Sequence, residues 1–528
     1  MKIIIRDIQL PIRHKPQDAI HAAQKIVRHA CLQAKDFQIY KQSLDARRKG
    51  ALRFLYQVTA TLIDGTLPSG GQIAPFEEAA VLQIPIAVPG ARRPVIVGMG
   101  PCGLFAAYVL AKAGLAPIIL ERGADVDTRT QTVERFWKGG KLDPESNVQF
   151  GEGGAGTFSD GKLHTRIHDP RQRFILQTFV AHGAPEDILY KAKPHIGTDA
   201  LKNVVRSMRR RIIELGGEVR FGSRLTGIRG TAGRLCEIEV GASEAISCDT
   251  LVLAIGHSSR DTYQLLYESG IAVEAKPFAV GLRIEHTQRF INQAQYGTDD
   301  TALPSADYRL VYNGRERSCY SFCMCPGGVV VNAASEDGGL VVNGMSNHAR
   351  DGQNANSALV VTVQPSDFPT HLPLAGVAFQ RKYEQLAFQL GGGDYTAPVQ
   401  LARDFAANRE SDQLGSVHPT FTGNIRLAAL HQSLPHFVVS GLQEGLEAFE
   451  QKIHGFTSGD AVLTGVETRT SAPVRIVRDH ETLQSLSLCG LYPAGEGAGY
   501  AGGIMSAAVD GIRIAQKILE NELTKLES

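Results

Sequence analysis

The sequence predicts an α/β fold: a doubly wound, three-layer domain, an α+β domain inserted into it, and a small N-terminal α/β module. Three observations predict this fold. A buried strand, a glycine-rich turn and a helix follow one another at residues 94–114, and a second strand ending in an acidic residue comes directly after. The chain returns to this domain at residues 488–528, where a glycine-rich turn opens a terminal helix. A chain of 528 residues has room for these domains.

The N-terminal module, residues 1–62, is predicted to be ferredoxin-like, with strands at 2–8, 38–43 and 52–62 and a helix at 16–30. Its first 60 residues carry 12 Lys and Arg but 4 Asp and Glu, and Arg47-Arg48-Lys49 is predicted to form a hairpin tip. This charge fits an anion- or RNA-binding face, but a solvated loop and helix face is the favoured interpretation. Residues 63–93 are rich in Gly and Pro and are interpreted as a linker.

The glycine-rich turn that follows strand 95–97 has the spacing of a dinucleotide-binding fingerprint. Gly98 permits the tight turn, Gly100 lets the backbone approach a pyrophosphate, and Gly103 lets the helix pack on the strand. The helix N-terminus offers free N–H groups to phosphates. Glu121 would accept hydrogen bonds from a ribose diol and disfavours a 2′-phosphate, which indicates FAD or NAD. The alternative is a glycine turn in an ordinary α/β domain.

A second glycine-rich segment spans residues 147–162. It predicts a backbone nest for an anion, held in place by Phe150, Phe158 and Leu163. A mobile surface loop is the alternative. An amphipathic helix at 201–215, a strand at 218–221, a meander at 225–248 and a buried strand at 249–258 are predicted to follow.

The first domain is therefore predicted to be discontinuous, with residues 94–262 and 488–528 forming one unit and residues 263–487 inserted between them. The chain returns through 490–496 and ends in a helix predicted at 505–523. We expect no signal peptide in residues 1–7, because charge interrupts their hydrophobic run. Eight cysteines in this length favour free thiols, and we expect a cytoplasmic protein without a membrane span.

Five stretches together resemble a bacterial family of FAD-dependent dehydrogenases, also described as NAD(FAD)-utilising dehydrogenases, with the FAD-binding domain of glutathione-reductase-type flavoproteins. They are residues 147–163, 276–286, 321–328, 464–470 and 492–503. The resemblance covers nearly the whole chain and implies FAD as cofactor. No second strand–glycine turn–helix fingerprint is present, so no separate nicotinamide domain is predicted. Two electron donors stay open: NAD(P)H bound transiently beside the flavin, or a different molecule.

The resemblance also implies a set of FAD-binding positions. The adenosine pyrophosphate and ribose would lie at the fingerprint, the adenine at the backbone of Leu225, and the flavin at the loop 153–157 and the start of the last helix. Ile255 stands where the family has Thr, and Glu496 where it usually has Asp on the ribityl chain. The implied residues are Gly98, Gly100, Pro101, Cys102, Gly103, Glu121, Arg122, Gly153, Gly154, Ala155, Gly156, Thr157, Leu225, Gly256, Gly495, Glu496, Gly502, Gly503 and Ile504.

Candidates for substrate chemistry come from the inserted domain. Arg283 and Glu285 would share one face of a strand and His286 the other, so that a cation could orient an anionic substrate and a His could act as acid or base. A structural Arg–Glu pair and a surface His are the alternative. By resemblance, Glu467 and Arg469 could face the flavin.

Cys319, Cys323 and Cys325 form a thiol cluster near residue 320. They could ligate a metal or form a dithiol relay, but a fourth zinc ligand is not spaced nearby and alternate strand positions are poorly placed for a disulfide. Buried structural cysteines are the favoured interpretation, with no metal.

The predicted function is that of an FAD-dependent oxidoreductase acting on a small molecule that the sequence does not specify. Two alternatives stay open: a flavin-dependent RNA-modifying protein, suggested by the basic module, and a flavin-binding redox regulator or scaffold. The oligomeric state is not predicted.

Overall fold

The structure of the protein, a computed structural model, describes residues 1–68, 70–78, 82–87, 92–165 and 168–527, with side chains described through residue 524. Parts of the predicted linker, residues 69, 79–81 and 88–91, lie outside the described residues. Across the described ranges the fold is mixed α/β with several sheets, as the sequence predicts.

The strands, numbered in chain order, are β1 (Lys2–Leu10), β2 (Gln33–Asp45), β3 (Arg53–Asp64), β4 (Ile73–Pro75), β5 (Val95–Val97), β6 (Ile118–Leu120), β7 (Glu218–Arg220), β8 (Leu225–Thr231), β9 (Arg234–Val240), β10 (Glu244–Ser247), β11 (Leu251–Leu253), β12 (Val273–Ala275), β13 (Phe278–Thr287), β14 (Val311–Asn313), β15 (Ser318–Cys325), β16 (Val329–Asn332), β17 (Val342–Met345), β18 (Asn354–Val363), β19 (Ala397–Leu401), β20 (Ile425–Leu427), β21 (Val462–Glu467), β22 (Val474–Ile476) and β23 (Leu491–Pro493).

The α-helices are α1 (Pro16–His29), α2 (Pro101–Lys112), α3 (Val126–Trp137), α4 (Arg171–Ala181), α5 (Thr198–Glu214), α6 (Arg260–Glu268), α7 (Gln288–Tyr296), α8 (Ala375–Gly391), α9 (Ala402–Ala406), α10 (His436–Lys452) and α11 (Ile504–Glu527).

A five-stranded parallel sheet in the order β23-β11-β5-β6-β7 forms the centre of the molecule. Distant parts of the chain meet here, because β23 comes from the C-terminal part of the sequence and pairs with β11. All five strands are three residues long, and the side chains of β5, β11 and β23 are buried on both faces. Buried parallel strands of this kind need covering layers on both sides.

The two faces of this sheet are covered differently. Ile96 faces a core shared with α2, α4, α5 and α11. Its neighbours Val95 and Val97 point the other way, as the period of two requires, into a core shared with α6 and the β10-β9-β8 sheet. A small meander therefore replaces helices over much of the second face, and the predicted meander at 225–248 is confirmed.

A seven-stranded sheet lies between the two parts of the parallel-sheet unit in sequence, in the order β14-β15-β18-β13-β21-β19-β20. Its pairs are antiparallel except β19 with β20. Val280, Leu282 and Ile284 on β13 pack in a core that includes residues of α8 and α10. The alternate residues of β13, Arg283 and Glu285, are also fully buried, so this sheet carries charged groups on its other face.

The N-terminal module is a four-stranded sheet in the order β2-β3-β1-β4 with α1 packed on it. Strand β4 lies inside the segment predicted to be a linker and pairs with β1. The described residues of the module contain one helix, whereas a ferredoxin-like unit has two. The predicted basic hairpin tip joins β2 to β3 with Arg47, Arg48 and Lys49 exposed, and Leu44, Ala46 and Leu52 beside it pack against the core of the seven-stranded sheet.

Over the described ranges, none of the helices combines the length and the apolar character needed to cross a bilayer.

Candidate functional site

The carboxyl ends of the central parallel strands open into a cavity of about 670 Å³. Turns after β5, β6, β11 and β23 supply one side of its lining, which is where open parallel sheets bind ligands. The seven-stranded sheet supplies the facing wall. The predicted cofactor residues that line the cavity are Gly98, Gly100, Pro101, Cys102, Glu121, Arg122, Gly154, Ala155, Gly156, Leu225, Gly256, Glu496, Gly502, Gly503 and Ile504.

The four other predicted cofactor residues lie directly behind this lining. Gly103 packs so close to the turn that an added Cβ would lie 1.9 Å from the Gly98 carbonyl oxygen. An added Cβ on Gly495 would lie 2.8 Å from the Cβ of Cys102. Gly153 has no room for a Cβ beside Thr157, whose hydroxyl donates to the Glu152 carbonyl. These residues set the backbone of the cavity and do not face its interior.

The fingerprint turn has the geometry that each glycine was predicted to provide. Gly98 has a φ of +98°, and an added Cβ would lie 2.3 Å from the Ala254 carbonyl oxygen. Gly100 differs, because its φ of −73° suits any residue and its added Cβ would meet nothing closer than the Gly154 Cα at 3.8 Å. The space in front of Gly100 is therefore open, with the N-terminus of α2 beginning at Pro101.

Glu121 is fixed by three backbone donors. One carboxylate oxygen accepts from Met99 N at 2.8 Å, and the other accepts from Gly123 N and Gly151 N at 2.9 Å each. The carboxylate thus ties the fingerprint turn to the second glycine-rich loop. The oxygen that binds Met99 retains a lone pair for a hydroxyl donor in the cavity.

The second glycine-rich loop is held from beneath by Arg129, a residue for which no sequence pattern indicated a role. Its guanidinium is fully buried in α3 and donates to four carbonyl oxygens, those of Asn147, Val148, Glu152 and Gly154, at 2.7–3.0 Å. Burial lowers the pKa of Arg129 to about 10. The loop is therefore an ordered wall, as its flanking Phe residues predicted.

The other end of the cavity lies at the start of α11. Nothing lies within 4 Å of a Cβ added to Gly256, Gly502 or Gly503, so three backbones leave open space there. The Glu496 carboxylate accepts from Gly503 N at 3.3 Å. Burial raises the pKa of Glu496 to about 7, against the opposing effects of that hydrogen bond and of Lys276.

The predicted substrate-side residues fall into three places. Glu467 and Cys323 line the wall of the cavity, and Arg283 lies behind them with a bidentate bond to Glu467 at 2.8 and 3.0 Å. Cys325 is buried beside Cys323. His286 is not among the lining residues: its ring lies between Phe290 and Phe456 and bonds the Phe456 carbonyl at 2.8 Å, where burial lowers its pKa to about 4.

The Arg283–Glu285 pair, which was the alternative to a substrate-binding role, is not formed. Although both lie on one face of β13, Glu285 is bound by Asn354 and Thr420. Arg283 pairs instead with Glu467 on the neighbouring strand β21, and burial raises the pKa of Glu467 against this pairing. A single-sequence pattern identifies residues of one face but not their partners across the sheet.

Arg469 lines the cavity as part of a buried ionic network that the sequence did not reveal. Its guanidinium bonds Glu384 at 2.8 and 3.0 Å, and Glu384 also binds Arg260 at 2.7 and 2.9 Å. Burial acts against ionisation of Glu384, but the two guanidinium groups hold its pKa well below the usual range. Arg469 is therefore held in place beside the cavity. Over the described residues, no group of three or more His, Cys, Asp or Glu side chains is arranged to hold a metal.

The cavity suits a dinucleotide such as FAD. Its volume falls in the range of cofactor pockets, at about 300–1,000 Å³. At both ends of the cavity, the positions where a Cβ would intrude on a ligand are glycines. The fixed carboxylate of Glu121 lies between these ends, directly after β6. Residues 277–470 match the family described as FAD-dependent protein, C-terminal domain-like. The cofactor of this protein is FAD.

Comparison with curated proteins finds a relative in sequence, and comparison with solved structures finds proteins of low similarity. An uncharacterised protein of Clostridium beijerinckii is 53% identical over 493 residues, covering 91% of this chain and 92% of the relative. Halogenase PltM is 11% identical with a TM-score of 0.38, covering 82% of this chain and 70% of that chain. The flavin-dependent brominase Bmp2 is 11% identical with a TM-score of 0.36, covering 82% and 79%.

Proposed function

The chain belongs to the same family as its Clostridium beijerinckii relative, and residues 277–470 match the C-terminal domain of FAD-dependent proteins. From this membership we propose that the protein is an FAD-dependent oxidoreductase. The reaction is a dehydrogenation or reduction in which bound FAD supplies hydride or electron transfer. The protein's own residues bind the cofactor, position the substrate and control protonation.

The proposed domain organisation follows the sequence prediction. Residues 94–262 and 488–528 form a doubly wound FAD-binding domain, residues 263–487 form an inserted substrate domain, and residues 1–62 form the N-terminal module joined by the linker 63–93. The single parallel sheet shared by β5, β11 and β23 supports the discontinuous unit. The seven-stranded sheet, which forms the facing wall, supports a separate substrate-side domain.

We assign the adenosine end of FAD to the fingerprint. The free amides at the start of α2 and the open space at Gly100 would accept the pyrophosphate. The remaining lone pair of Glu121 would accept a ribose hydroxyl, and the backbone at Leu225 would meet the adenine.

We assign the flavin end to the start of α11 and the second glycine-rich loop. The positive end of the α11 dipole would favour negative charge on the flavin ring. Glu496 would bind the ribityl chain, and its raised pKa lets it hold or release a proton near neutral pH. On the facing wall, Glu467 held by Arg283 is placed to orient a substrate, with Arg469 beside it.

The observation that carries the proposal is the continuity of one cavity. Fingerprint, second loop and α11 N-terminus surround the same space that Cys323, Glu467 and Arg469 border from the substrate-side sheet. A cofactor in this space and a substrate against the wall would therefore be in contact. NAD(P)H is proposed as a transient donor that uses the same opening.

Anaerobic stopped-flow absorbance tests this function. The FAD-loaded protein is mixed with NADH or with NADPH, and dithionite reduction serves as the positive control. We expect rapid loss of the flavin band with one nicotinamide, and the Gly100→Val variant, depleted of FAD, provides the matched blank. No bleaching with either nucleotide in a dithionite-reducible protein would contradict a nicotinamide-linked reductase and favour a flavin-binding redox regulator.

A further inference from the structure

We propose that Cys323 and Cys325 form a thiol–disulfide exchange site in the wall of the cavity, and that the substrate it takes is a disulfide. Cys323 is the attacking thiolate and Cys325 is the resolving thiol. The inference deepens the proposed oxidoreductase function by naming a substrate class, and it rests on that function for the supply of electrons.

The two cysteines occupy unequal positions on β15. Cys323 is partly exposed and lines the cavity, whereas Cys325 is fully buried behind it. Cys319, on the same strand, is fully buried and packs against Gly445 on α10, away from this pair. A ligand in the cavity can therefore reach the sulfur of Cys323 first.

The strand is distorted at this pair. Pairing of β15 with β18 shifts register between Phe322 and Cys325, and Cys323 has a φ of +45°. In a regular strand, residues two apart lie roughly 6.6 Å apart, near the upper limit of Cα separations for a disulfide. The bulge removes that regular spacing, and the Cys325 thiol donates to the Cys323 carbonyl oxygen at 3.3 Å.

Two cations approach the pair. Lys162 lines the cavity, and its ammonium donates to the carbonyl of Met324, the residue between the two cysteines. Arg283 donates to the Cys323 carbonyl at 3.3 Å from behind. Hydrogen bonding by the Cys325 thiol to a Cys323 thiolate, helped by these two cations and opposed by burial, lowers the pKa of Cys323. The same hydrogen bonding and burial raise the pKa of Cys325.

Three carboxylates face the pair from other elements. Asp160 pairs with Lys162 at 3.3 Å but is also held by Arg350. Glu467 on β21 is neutralised by Arg283. Glu496, on the turn after β23, is the remaining carboxyl, and the negative charge of Cys323 is among the causes of its raised pKa. Arg283 is matched by Glu467, whereas Lys162 and Arg350 share Asp160, so one positive charge beside the pair is left unmatched and favours the thiolate.

The exchange balances in atoms and electrons. The Cys323 thiolate attacks one sulfur of RS–SR, the S–S bond breaks, RS⁻ leaves, and Cys323 carries a mixed disulfide. Cys325 then gives up its proton and attacks the Cys323 sulfur, so that RSH leaves and the Cys323–Cys325 disulfide forms. The cysteine pair has lost two electrons to the substrate. Two electrons and a proton from the reduced flavin of the proposed function return it to thiolate and thiol.

The test uses the FAD-loaded protein and the aromatic disulfide dithiobis(nitrobenzoate) at pH 6. Released thiolate is followed by absorbance, and each modified cysteine is identified by peptide mass mapping. We expect Cys323 to react about tenfold faster than the exposed Cys31 and Cys236 of the same molecule, because a larger thiolate fraction outweighs the lower nucleophilicity of that thiolate. Wild type should then release a second thiolate and show a Cys323–Cys325 disulfide.

Two variants separate the roles. Cys325→Ser should stop at a stable adduct on Cys323 with one thiolate released, and Lys162→Gln should shift the pH profile of Cys323 labelling upward. Labelling of Cys323 no faster than that of Cys31, or a wild-type adduct that never resolves to Cys325, would overturn the inference. Flavin bleaching by a nicotinamide together with an unreactive Cys323 would support the oxidoreductase function and overturn the disulfide site. A reactive Cys323 without flavin bleaching would support the disulfide site and contradict a nicotinamide-linked reductase.

Discussion

Gly98 and Gly100 lie two residues apart in one turn, and the structure predicts opposite consequences when each gains a side chain. Gly98→Ala should destabilise the fold, because φ is +98° and the new Cβ would lie 2.3 Å from the Ala254 carbonyl oxygen. Left-handed strain of about 1–2 kcal/mol and overpacking of about 1–3 kcal/mol give a loss of about 2–5 kcal/mol. Gly100→Val meets no protein atom at its Cβ closer than 3.8 Å, so we expect stability within about 1 kcal/mol of wild type.

FAD affinity should be affected more by Gly100→Val than stability is. In Gly100→Val, the methyl groups of the introduced side chain would occupy the open space in front of α2, where we assign the pyrophosphate. Overpacking there of about 1–3 kcal/mol corresponds to roughly 5- to 150-fold weaker FAD binding. Urea unfolding of the apoprotein gives the stability, and quenching of flavin fluorescence on titration gives the affinity.

Gly114→Ala is the matched control for backbone strain. Gly114 has a φ of +93°, nothing lies within 4 Å of its added Cβ, and it lies outside the cavity. We expect about 1–2 kcal/mol of destabilisation with unchanged FAD affinity. Wild-type affinity in a folded Gly100→Val protein would refute the assignment of the pyrophosphate to this turn.

Three further substitutions probe the buried charges. Arg129→Met should cost at least about 3 kcal/mol in urea unfolding and release FAD on gel filtration, because four carbonyls lose their donor, whereas exposed Arg135→Met on the same helix should do neither. Glu496→Gln should become more stable relative to wild type as pH rises. The ordinary pKa of 4.5 is raised to about 7 in the fold, so between these values the unfolded chain loses the proton while the folded protein keeps it. The wild-type apoprotein therefore loses about 3 kcal/mol of stability across this range, which urea unfolding at its two ends measures. Glu467→Gln should cost about 3–5 kcal/mol in the same assay, since Arg283 would stay buried without its carboxylate; an unchanged midpoint would contradict that pairing.

Local sequence pattern was sufficient for the parallel sheet. A β-branched run, a glycine turn and a helix specify Val95–Val97 and α2 almost residue by residue, because their hydrophobic period and punctuation lie within a short stretch. Strand β4 was missed, since Ile73–Pro75 is too short to show a period and exists as a strand through its pairing with β1. The ferredoxin-like type of the N-terminal module was inferred from analogy alone, and its described residues contain the one predicted helix, α1.

In the site, too, features set by local sequence could be predicted and those set by long-range contacts could not. Glycines were predictable because backbone geometry demands that residue type at fixed spacing. Arg129 was not, because its four acceptors lie 18 to 25 residues away and nothing in a helix reveals which side chain turns inward. His286 was assigned to the face opposite Arg283, but no pattern indicated that Phe290 and Phe456 would enclose it. Arg283 found Glu467 across a strand pair formed by segments 184 residues apart.

The discontinuity of the central sheet bears on how the protein is made. Strand β11 ends at Leu253 and its neighbour β23 begins at Leu491, so about 240 residues must be synthesised between them. At ribosomal rates of about 5–20 residues per second, this interval is roughly 10–50 s. During it β11 presents an unpaired edge, and α2 lacks α11, its main packing partner on that face. A nascent chain stalled before residue 491 would therefore lack the last side of the proposed FAD site and would be a natural client for a chaperone. Once β23 and α11 have left the ribosome, they complete the sheet and the cofactor site together.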